Sequence, residues 1–560
     1  MSGGRKLLGR ILRERGVVNE GAIQEALEVQ RRQGGPIGAI LVSLGHCSEK
    51  DVAAALAIQA GMEVVEAAAL VPPPELLARI DPSTATVFGV LPLREEKGEL
   101  LVAVADPRNT AILDDLRFLV GKPVRALLAE EKALRAAVER AYGGKGGKSV
   151  AEAVAAAGAV EKLAGDAETL AHAAPVVRLL NALLHQAIRD RASDVHLEPF
   201  EDEFRIRYRV DGVLYSIESP PLHLAPALTS RVKVLANLDI AEARLPQDGR
   251  IELSIDGRSV DLRVSTLPTM FGESCVLRIL DRGAVRLELA ALGLRAGEET
   301  VIRSLLDLPH GIVLVTGPTG SGKTTTLYGM LAAANDPSLK IITTEDPVEY
   351  DLAGIVQIPI QEDIGVSYAA VLRTILRQDP DVILVGEIRD RETAQVAIEA
   401  SLTGHLVFST LHTNDAPAAV TRMIDIGVEP FLLSATLEAV VAQRLVRRIC
   451  GNCRTPLEPD PRLLRELGLP DEVLTGAKFA YGKGCEACFH TGFRGRTAIF
   501  EILRMTERVR SLVLEGASHE RLREAARAEG MATLRDAGLL LVAEGETTIE
   551  EVLRETTAIE

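Results

Sequence analysis

The stretch Gly317-Pro318-Thr319-Gly320-Ser321-Gly322-Lys323-Thr324-Thr325-Thr326 constrains this chain more than any other. Its spacing is G-x-x-x-x-G-K-[ST], a loop whose backbone N–H groups cradle phosphates. The flanks agree: the apolar run Ile312–Val315 reads as a buried strand, and Leu327-Tyr328-Gly329-Met330-Leu331 continues as an apolar helix. Strand, glycine loop and helix together aim N–H groups and a helix N-terminus at an anion. The nucleotide contacts are therefore expected from Gly317, Pro318, Thr319, Gly320, Ser321, Gly322, Lys323, Thr324 and Thr325. Lys323 is expected on the β- and γ-phosphates, and the Thr324 hydroxyl on Mg²⁺.

A 560-residue chain is long enough for several domains. Its net charge of −16 argues against broad nucleic-acid binding, which needs a basic face. No apolar run approaches the ~18 residues that cross a bilayer. The start, Met1-Ser2-Gly3-Gly4-Arg5-Lys6, leads into no signal-type core. The expectation is a cytoplasmic protein that reaches the membrane through partners.

The N-terminus repeats itself. Leu8-Gly9-x-x-Leu12-x-x-x-Gly16 returns as Ile37-Gly38-x-x-Leu41-x-x-x-Gly45, and Leu27-x-x-Gln30 as Leu56-x-x-Gln59, each 29 residues on. Each unit reads as helix, glycine turn, helix, the mark of duplicated units packing on each other. Residues 62–140 mix strands such as Leu100–Val104 with short helices. This N-terminal region, 1–141, gives way to a linker over 142–173, where Gly143–Ser149 mimics a phosphate loop but lacks its first glycine and its strand. A second region, 174–284, opens with an amphipathic helix over Val176–Ile188. It continues with strands Phe204–Val210 and Val213–Tyr215 around an Asp211-Gly212 turn, and with a hairpin at Asp256-Gly257. The nucleotide domain is expected over 289–560, giving a multidomain α/β protein.

Hydrolysis needs carboxylates near Mg²⁺ and near the attacking water. Val382–Val385 reads as a strand ending in Gly386-Glu387. Ile341-Ile342-Thr343 leads into Thr344-Glu345-Asp346-Pro347-Val348-Glu349, three carboxylates in five residues, one of them a candidate general base. Leu406–Thr410 is a third strand, flanked by His405 and His412, which are candidates for sensing a γ-phosphate. Cys450-x-x-Cys453 and Cys485-x-x-Cys488, 31 residues apart, suit a closed structural Zn²⁺ site over an insertion at 448–497. Cys47 and Cys275 stand alone and read as apolar fillers.

Taken together, these blocks resemble the secretion ATPases of the type II secretion and type IV pilus assembly superfamily. The blocks are Gly317–Thr326, Thr344–Tyr350, Leu376–Asp381, Gly386–Asp390, Thr403–His405, Thr410–Asn414 and the four cysteines. The resemblance implies a homohexamer of RecA-like domains that hydrolyses ATP with Mg²⁺. It also implies a PAS-like α+β domain before each, at 174–280, and an α-helical/α+β regulatory domain at the N-terminus. Glu349 becomes the implied base, with Glu387, His412 and Lys323 beside it. Arginines of the preceding domain are implied to approach the phosphates, the candidates being Arg244, Arg250, Arg263 and Arg278.

Implied partners are an inner-membrane platform protein and the cytoplasmic domain of a membrane-anchored secretion or pilus component. Glu349-Tyr350 and Ser401–Leu406 lean towards the type II secretion branch. The N-terminal repeat resembles a cyclic di-GMP-binding domain, with Leu7-Leu8-Gly9 where that domain opens Arg-Leu-Gly and with Lys6 or Arg10 as replacement cations. The alternative function is a nucleic-acid translocase of the DNA-uptake or conjugation type, opposed by the acidic charge and by the lack of a basic, aromatic-lined segment.

Overall fold

The computed structural model describes every residue outside 1–7, 34–36, 49–50, 53, 56–57, 59–61, 67–71, 81, 106–112, 114–115, 118, 143–149, 159–169, 256–257, 282–286, 460–463, 465–466, 468–470, 475 and 557–560. Lys6, Leu7, Leu56, Gln59, Gly143–Ser149 and the Asp256-Gly257 turn thus lie outside the described residues. The chain forms two compact units, Met1–Ala284 and Val285–Glu560.

The first unit opens with α1 (Leu8–Glu14), α2 (Glu20–Gln33) and α3 (Ile37–Ser43). The sequence repeat is a repeat of geometry. Gly16 N donates to Arg13 O at 2.9 Å and Val17 N to Leu12 O at 3.0 Å; 29 residues on, Gly45 N donates to Val42 O and His46 N to Leu41 O, both at 2.9 Å. Gly16 (φ 70°) and Gly45 (φ 74°) are both left-handed, the conformation a helix C-terminus needs and glycine takes without strain. Leu12 and Leu41 are fully buried in one small cluster, with Cys47 packed half-buried against it.

A three-stranded sheet follows: β1 (Leu91–Glu96) runs antiparallel to β2 (Glu99–Val104), which is parallel to β3 (Val124–Leu128). Two further helices are α4 (Glu131–Tyr142) and α5 (Val150–Gly158). Within the expected linker, α5 buries Val150, Ala153, Val154 and Ala157 in the core that holds α6 (Ala174–Arg189).

Six antiparallel strands complete the unit: β4 (Asp194–Pro199), β5 (Phe204–Val210), β6 (Val213–Ser216), β7 (Gln247–Ile255), β8 (Arg258–Thr269) and β9 (Gly272–Asp281). Their order is β6-β5-β4-β9-β8-β7. β5 shows how the sheet is sided. Phe204, Ile206, Tyr208 and Val210 are buried, while Arg205, Arg207 and Arg209 alternate onto the polar face. Burying each such apolar side chain is worth about 1.5–3 kcal/mol. The buried Tyr208 hydroxyl donates to Leu183 O at 2.6 Å and so ties α6 to this face. α7 (Ala225–Leu235) buries its Leu228 and Val232 in the same core.

The second unit is a seven-stranded sheet in the order β12-β11-β13-β14-β10-β15-β18. Its strands are β10 (Gly311–Thr316), β11 (Ile341–Glu345), β12 (Val356–Pro359), β13 (Val382–Val385), β14 (Leu406–Leu411), β15 (Leu437–Ile449) and β18 (Phe493–Arg504). All are parallel except β18. Two short strands, β16 (Arg454–Pro456) and β17 (Ala480–Gly482), pair in the cysteine-bearing insertion. α8 (Lys323–Ala334), α9 (Tyr368–Ile375), α10 (Arg391–Leu402) and α11 (Ala416–Asp425) connect the strands. Four helices close the chain: α12 (Glu507–Leu514), α13 (His519–Ala528), α14 (Leu534–Ala543) and α15 (Ile549–Thr556). β10, β13 and β14 are buried along their whole lengths, as strands covered on both faces must be.

Candidate functional site

Parallel strands end together, and open α/β sheets hold ligands at that carboxyl edge. Here the ends of β10, β11, β13 and β14 bring four of the sequence blocks to one edge. The phosphate loop is shaped by its glycines and by β15 beneath it. A Cβ on Gly317 (φ 149°) would lie 2.6 Å from Gln443 O, and one on Gly322 (φ 91°) 2.8 Å from Gln443 Nε2. Gln443 also accepts from Thr326 Oγ1 at 2.7 Å, so Thr326 is structural while Thr324 stays exposed. The buried Ser321 Oγ has no hydrogen-bond partner among the described residues. An orphaned hydroxyl, a glycine cradle and a helix N-terminus fit a bound polyphosphate, with Thr324 as the hydroxyl available to Mg²⁺.

Lys323 Nζ donates to Gly317 O at 2.8 Å and to Pro318 O at 3.2 Å. Burial holds its pKa below the ordinary lysine value, Glu387 opposes that, and Arg444 adds to it. Arg444 is itself buried beside the loop; its Nη2 reaches Asn414 Oδ1 at 3.1 Å, and its Nη1 has no partner among the described residues.

The carboxylates divide by environment. Glu345 is the last residue of β11 and is buried. One of its oxygens accepts from the Tyr328 hydroxyl, the other from Thr343 Oγ1 at 2.5 Å and Gln357 Nε2 at 3.0 Å. Both oxygens of Glu345 are thus engaged by neighbouring side chains. Glu349 lies beyond it, half-buried, its backbone N donating to Tyr328 Oη at 3.3 Å.

Glu387 stands at the end of β13, where Gly386 is required: a Cβ there would meet Thr344 O at 2.8 Å and Tyr368 Oη at 2.9 Å. Glu387 pairs with Arg389 and with His412, whose Nε2 is 3.3 Å from Oε2. The two histidines separate. His412 follows β14 at the loop edge, whereas His405 precedes it and bonds to Ala400 O at 2.8 Å at the opposite end of the sheet. A six-residue strand is about 20 Å long, so His405 takes no part at this edge.

The candidate arginines also separate. Arg244 is exposed and paired with Glu242 at 2.7 Å. Arg250, Arg263 and Arg278 are register partners on β7, β8 and β9, and the row continues to Asp194 on β4. They therefore form one transverse line on the polar face of the first unit's sheet, with Arg278 Nε 3.1 Å from Asp194 Oδ1.

Cys450, Cys453, Cys485 and Cys488 converge, with sulfur atoms all within 4.8 Å of one another. Cys450 Sγ is 3.9 Å from Cys485 Sγ, Cys453 Sγ 3.8 Å from Cys488 Sγ, and Cys485 Sγ 3.7 Å from Cys488 Sγ. Tetrahedral Zn²⁺ with Zn–S near 2.3 Å requires sulfur separations of about 3.8 Å, so the set fits that ion. Burial opposes ionisation of Cys488, but the N–H groups of Cys485 and Gly492, at 3.2 and 3.3 Å from its sulfur, hold the thiol at about 6. Cys275 is fully buried, and burial first, then Glu273, pushes its thiol to about 12.

The profile of the family described as "Type II/IV secretion system protein" matches residues 169–554. The chain belongs to this family. The MshEN domain profile matches residues 60–148, downstream of the N-terminal repeat. The type IV pilus assembly ATPase PilB of Myxococcus xanthus (strain DK1622) is 42% identical over 559 residues, covering 98% of each chain. Type II secretion system protein E of Xanthomonas campestris pv. campestris is 43% identical over 552 residues, covering 97% of each. Among solved structures, the Legionella pneumophila ATPase DotB matches with a TM-score of 0.51 at 21% identity, covering 68% of this chain and 95% of that one, which supports the RecA-like fold. This secretion-family protein is an ATPase with a RecA-like core. Among its described residues, no helix is long and apolar enough to cross a membrane.

Sequence reasoning about this secretion ATPase missed Tyr328 and Gln357, which lock Glu345, and the pair Gln443-Arg444 under the loop. It also missed Asp415 and its partners His519 and Arg523. Arg389 stood within a block already singled out, and its place two residues after Glu387 was the available signal.

Proposed function

We propose that this chain works as a homohexameric ring in which ATP hydrolysis powers assembly of a pilus or pseudopilus filament at the inner membrane. The observation that carries this reading is the convergence of the phosphate loop, Glu387 and His412 on one sheet edge, in a chain of the type II/IV secretion family. In this reading Lys323 and the loop N–H groups hold the β- and γ-phosphates, and Thr324 and Glu387 serve Mg²⁺. Glu349 takes the proton of the attacking water, and His412 monitors the γ-phosphate through Glu387.

Arginines of the preceding domain, from the line Arg250, Arg263 and Arg278 or from Arg244, supply cations to the nucleotide phosphates, which makes domain movement part of the hydrolysis cycle. Zn²⁺ on the four cysteines staples the insertion. A platform protein and the cytoplasmic domain of a membrane-anchored component are the proposed membrane partners. The type II branch is the one this reading favours. In the proposed domain plan, residues 1–141 regulate, 174–284 supply the arginines and 289–560 hydrolyse ATP.

The test joins assembly to chemistry. ATPase activity per subunit should rise steeply with protein concentration as a hexamer appears by light scattering. Arg250→Ala with Arg263→Ala should lower kcat about a hundredfold while leaving the phosphate loop able to bind nucleotide. Activity of a stable monomer equal to that of the ring would remove the proposal. Deleting the gene and scoring protein secretion against piliation decides the branch.

The MshEN match over 60–148 supports a second proposal, a cyclic di-GMP site in the N-terminal region. A calorimetric titration without heat at high protein concentration would sink it.

A further inference from the structure

The turn after His412 is held from every side. Thr413 N donates to Thr316 Oγ1 at 2.9 Å, and the two threonine hydroxyls are 2.7 Å apart, so the turn is tied to the last residue before the phosphate loop. Thr413 Oγ1 then reaches Asp415 O at 3.1 Å. Asn414 is held by Arg444, and Ala416 N donates to the buried Glu501 at 2.8 Å. The Asp415 carboxylate is almost wholly buried, with 4% of its side chain exposed. It caps α11 by accepting from Ala418 N at 2.7 Å, and it takes His519 Nε2 at 3.0 Å and Arg523 Nη2 at 2.6 Å.

Both latter residues belong to α13, more than a hundred positions along the chain. A continuous series of hydrogen bonds therefore runs from the phosphate-loop strand to the C-terminal helices. An aspartate that served only to cap α11 would not need two further side-chain donors brought from so far. Removing one leaves a buried carboxylate undercompensated, and the turn that carries it must then move or hydrate.

We propose that Asp415, His519 and Arg523 form a positioning clamp through which α13 holds His412 and Thr413 in register with the phosphate loop, so that the placement of the C-terminal helices sets the rate of hydrolysis. The inference rests on the reading of His412 given above. None of the three is a catalytic residue; each acts through the turn.

The test uses the full-length chain with Arg523→Met, Arg523→Lys and His412→Ala. Arg523→Met should lower kcat about tenfold or more with KM for ATP within about threefold, since the loop that binds phosphate is untouched. Amide hydrogen exchange over 412–416 should quicken while exchange over 317–323 stays as in the parent. Arg523→Lys, which restores the charge, should recover most of kcat. A folded Arg523→Met protein with parental kcat, or one whose exchange quickens uniformly over the second unit, overturns the clamp. Should Arg523→Met fail to fold, His519→Gln carries the same comparison. If His412→Ala abolishes hydrolysis while the clamp variants do not, the clamp alone fails. If His412→Ala hydrolyses normally, the reading of the turn fails, and the clamp falls with it.

Discussion

The phosphate-loop edge and the cysteine knuckle belong to the same unit, and each fixes several polar side chains at close range. The knuckle does so locally: its four sulfurs come from the two ends of one insertion, and the spacing of 3.7–3.9 Å between neighbours is set by tight turns around them. The edge draws on residues from Thr316 to Arg523 and relies on sheet register to bring them together. The knuckle should therefore fail when its ligand is removed and leave the sheet standing. The edge should fail one residue at a time, each failure with its own kinetic or structural signature.

The largest effect is expected at the loop. Lys323→Ala removes the only loop cation, and turnover should fall by about 10³-fold or more, with nucleotide affinity falling too. Zinc content, measured on the same preparation, should be that of the parent. Loss of zinc along with activity would mean that the two regions are one cooperative structure, and the contrast would break.

Two glutamates four residues apart sharpen it next. Glu349→Gln should retain nucleotide and lower kcat by about 10²–10⁴-fold with no change in melting temperature. In Glu345→Gln one of the two acceptor oxygens becomes an NH2 group, so either the Tyr328 hydroxyl or the Thr343 and Gln357 donors lose their acceptor, which should cost about 1–3 kcal/mol of stability. Normal hydrolysis by Glu349→Gln would make Glu345 or Glu387 the base in its place.

At the knuckle, chelation or Cys488→Ser should release the metal and open the insertion to protease. The smaller loss at the edge should be a drop in ATPase rate of about tenfold or less. A complete loss of activity with an intact sheet would show that the insertion reaches the chemistry.

This contrast also explains what the sequence made legible. The cysteine cluster and the phosphate loop are short-range patterns in which chemistry and spacing coincide. The strands around the loop were legible as apolar runs between turn residues, and Phe204–Val210 by strict alternation. The acidic segment looked like three equivalent carboxylates because the groups that separate them come from α8 and β12, 17 and 12 residues from Glu345. His405 and His412 looked like a pair because they bracket one strand, yet the length of that strand sends them to opposite edges. The arginine line needs cross-strand register, which alternation within single strands does not supply. The grip of α13 on Asp415 leaves no local trace, since a helix with caps and charges gives no sign of which turn it will meet.

The smallest effect tests the seam between the edge and the C-terminal helices. Glu501 is buried on β18 and accepts from Ala416 N at 2.8 Å and from Leu534 N at 3.3 Å. Burial raises its pKa above the usual carboxylate value, the two N–H groups oppose that, and Asp415 reinforces it. A carboxyl whose folded pKa lies above its unfolded one favours folding in the neutral form. That contribution is complete below the unfolded value and is lost as pH rises through the folded one. Glu501→Gln stays neutral throughout, but its amide group meets one of the two N–H donors, at a cost of about 1 kcal/mol. The variant should therefore be less stable than the parent near the unfolded carboxylate pKa of about 4.3, and the gap should narrow as pH rises towards neutrality. Denaturant melts across that range measure the gap. Parallel pH profiles for the two proteins would show that the two N–H bonds already outweigh burial, and that the junction tolerates the charge without strain.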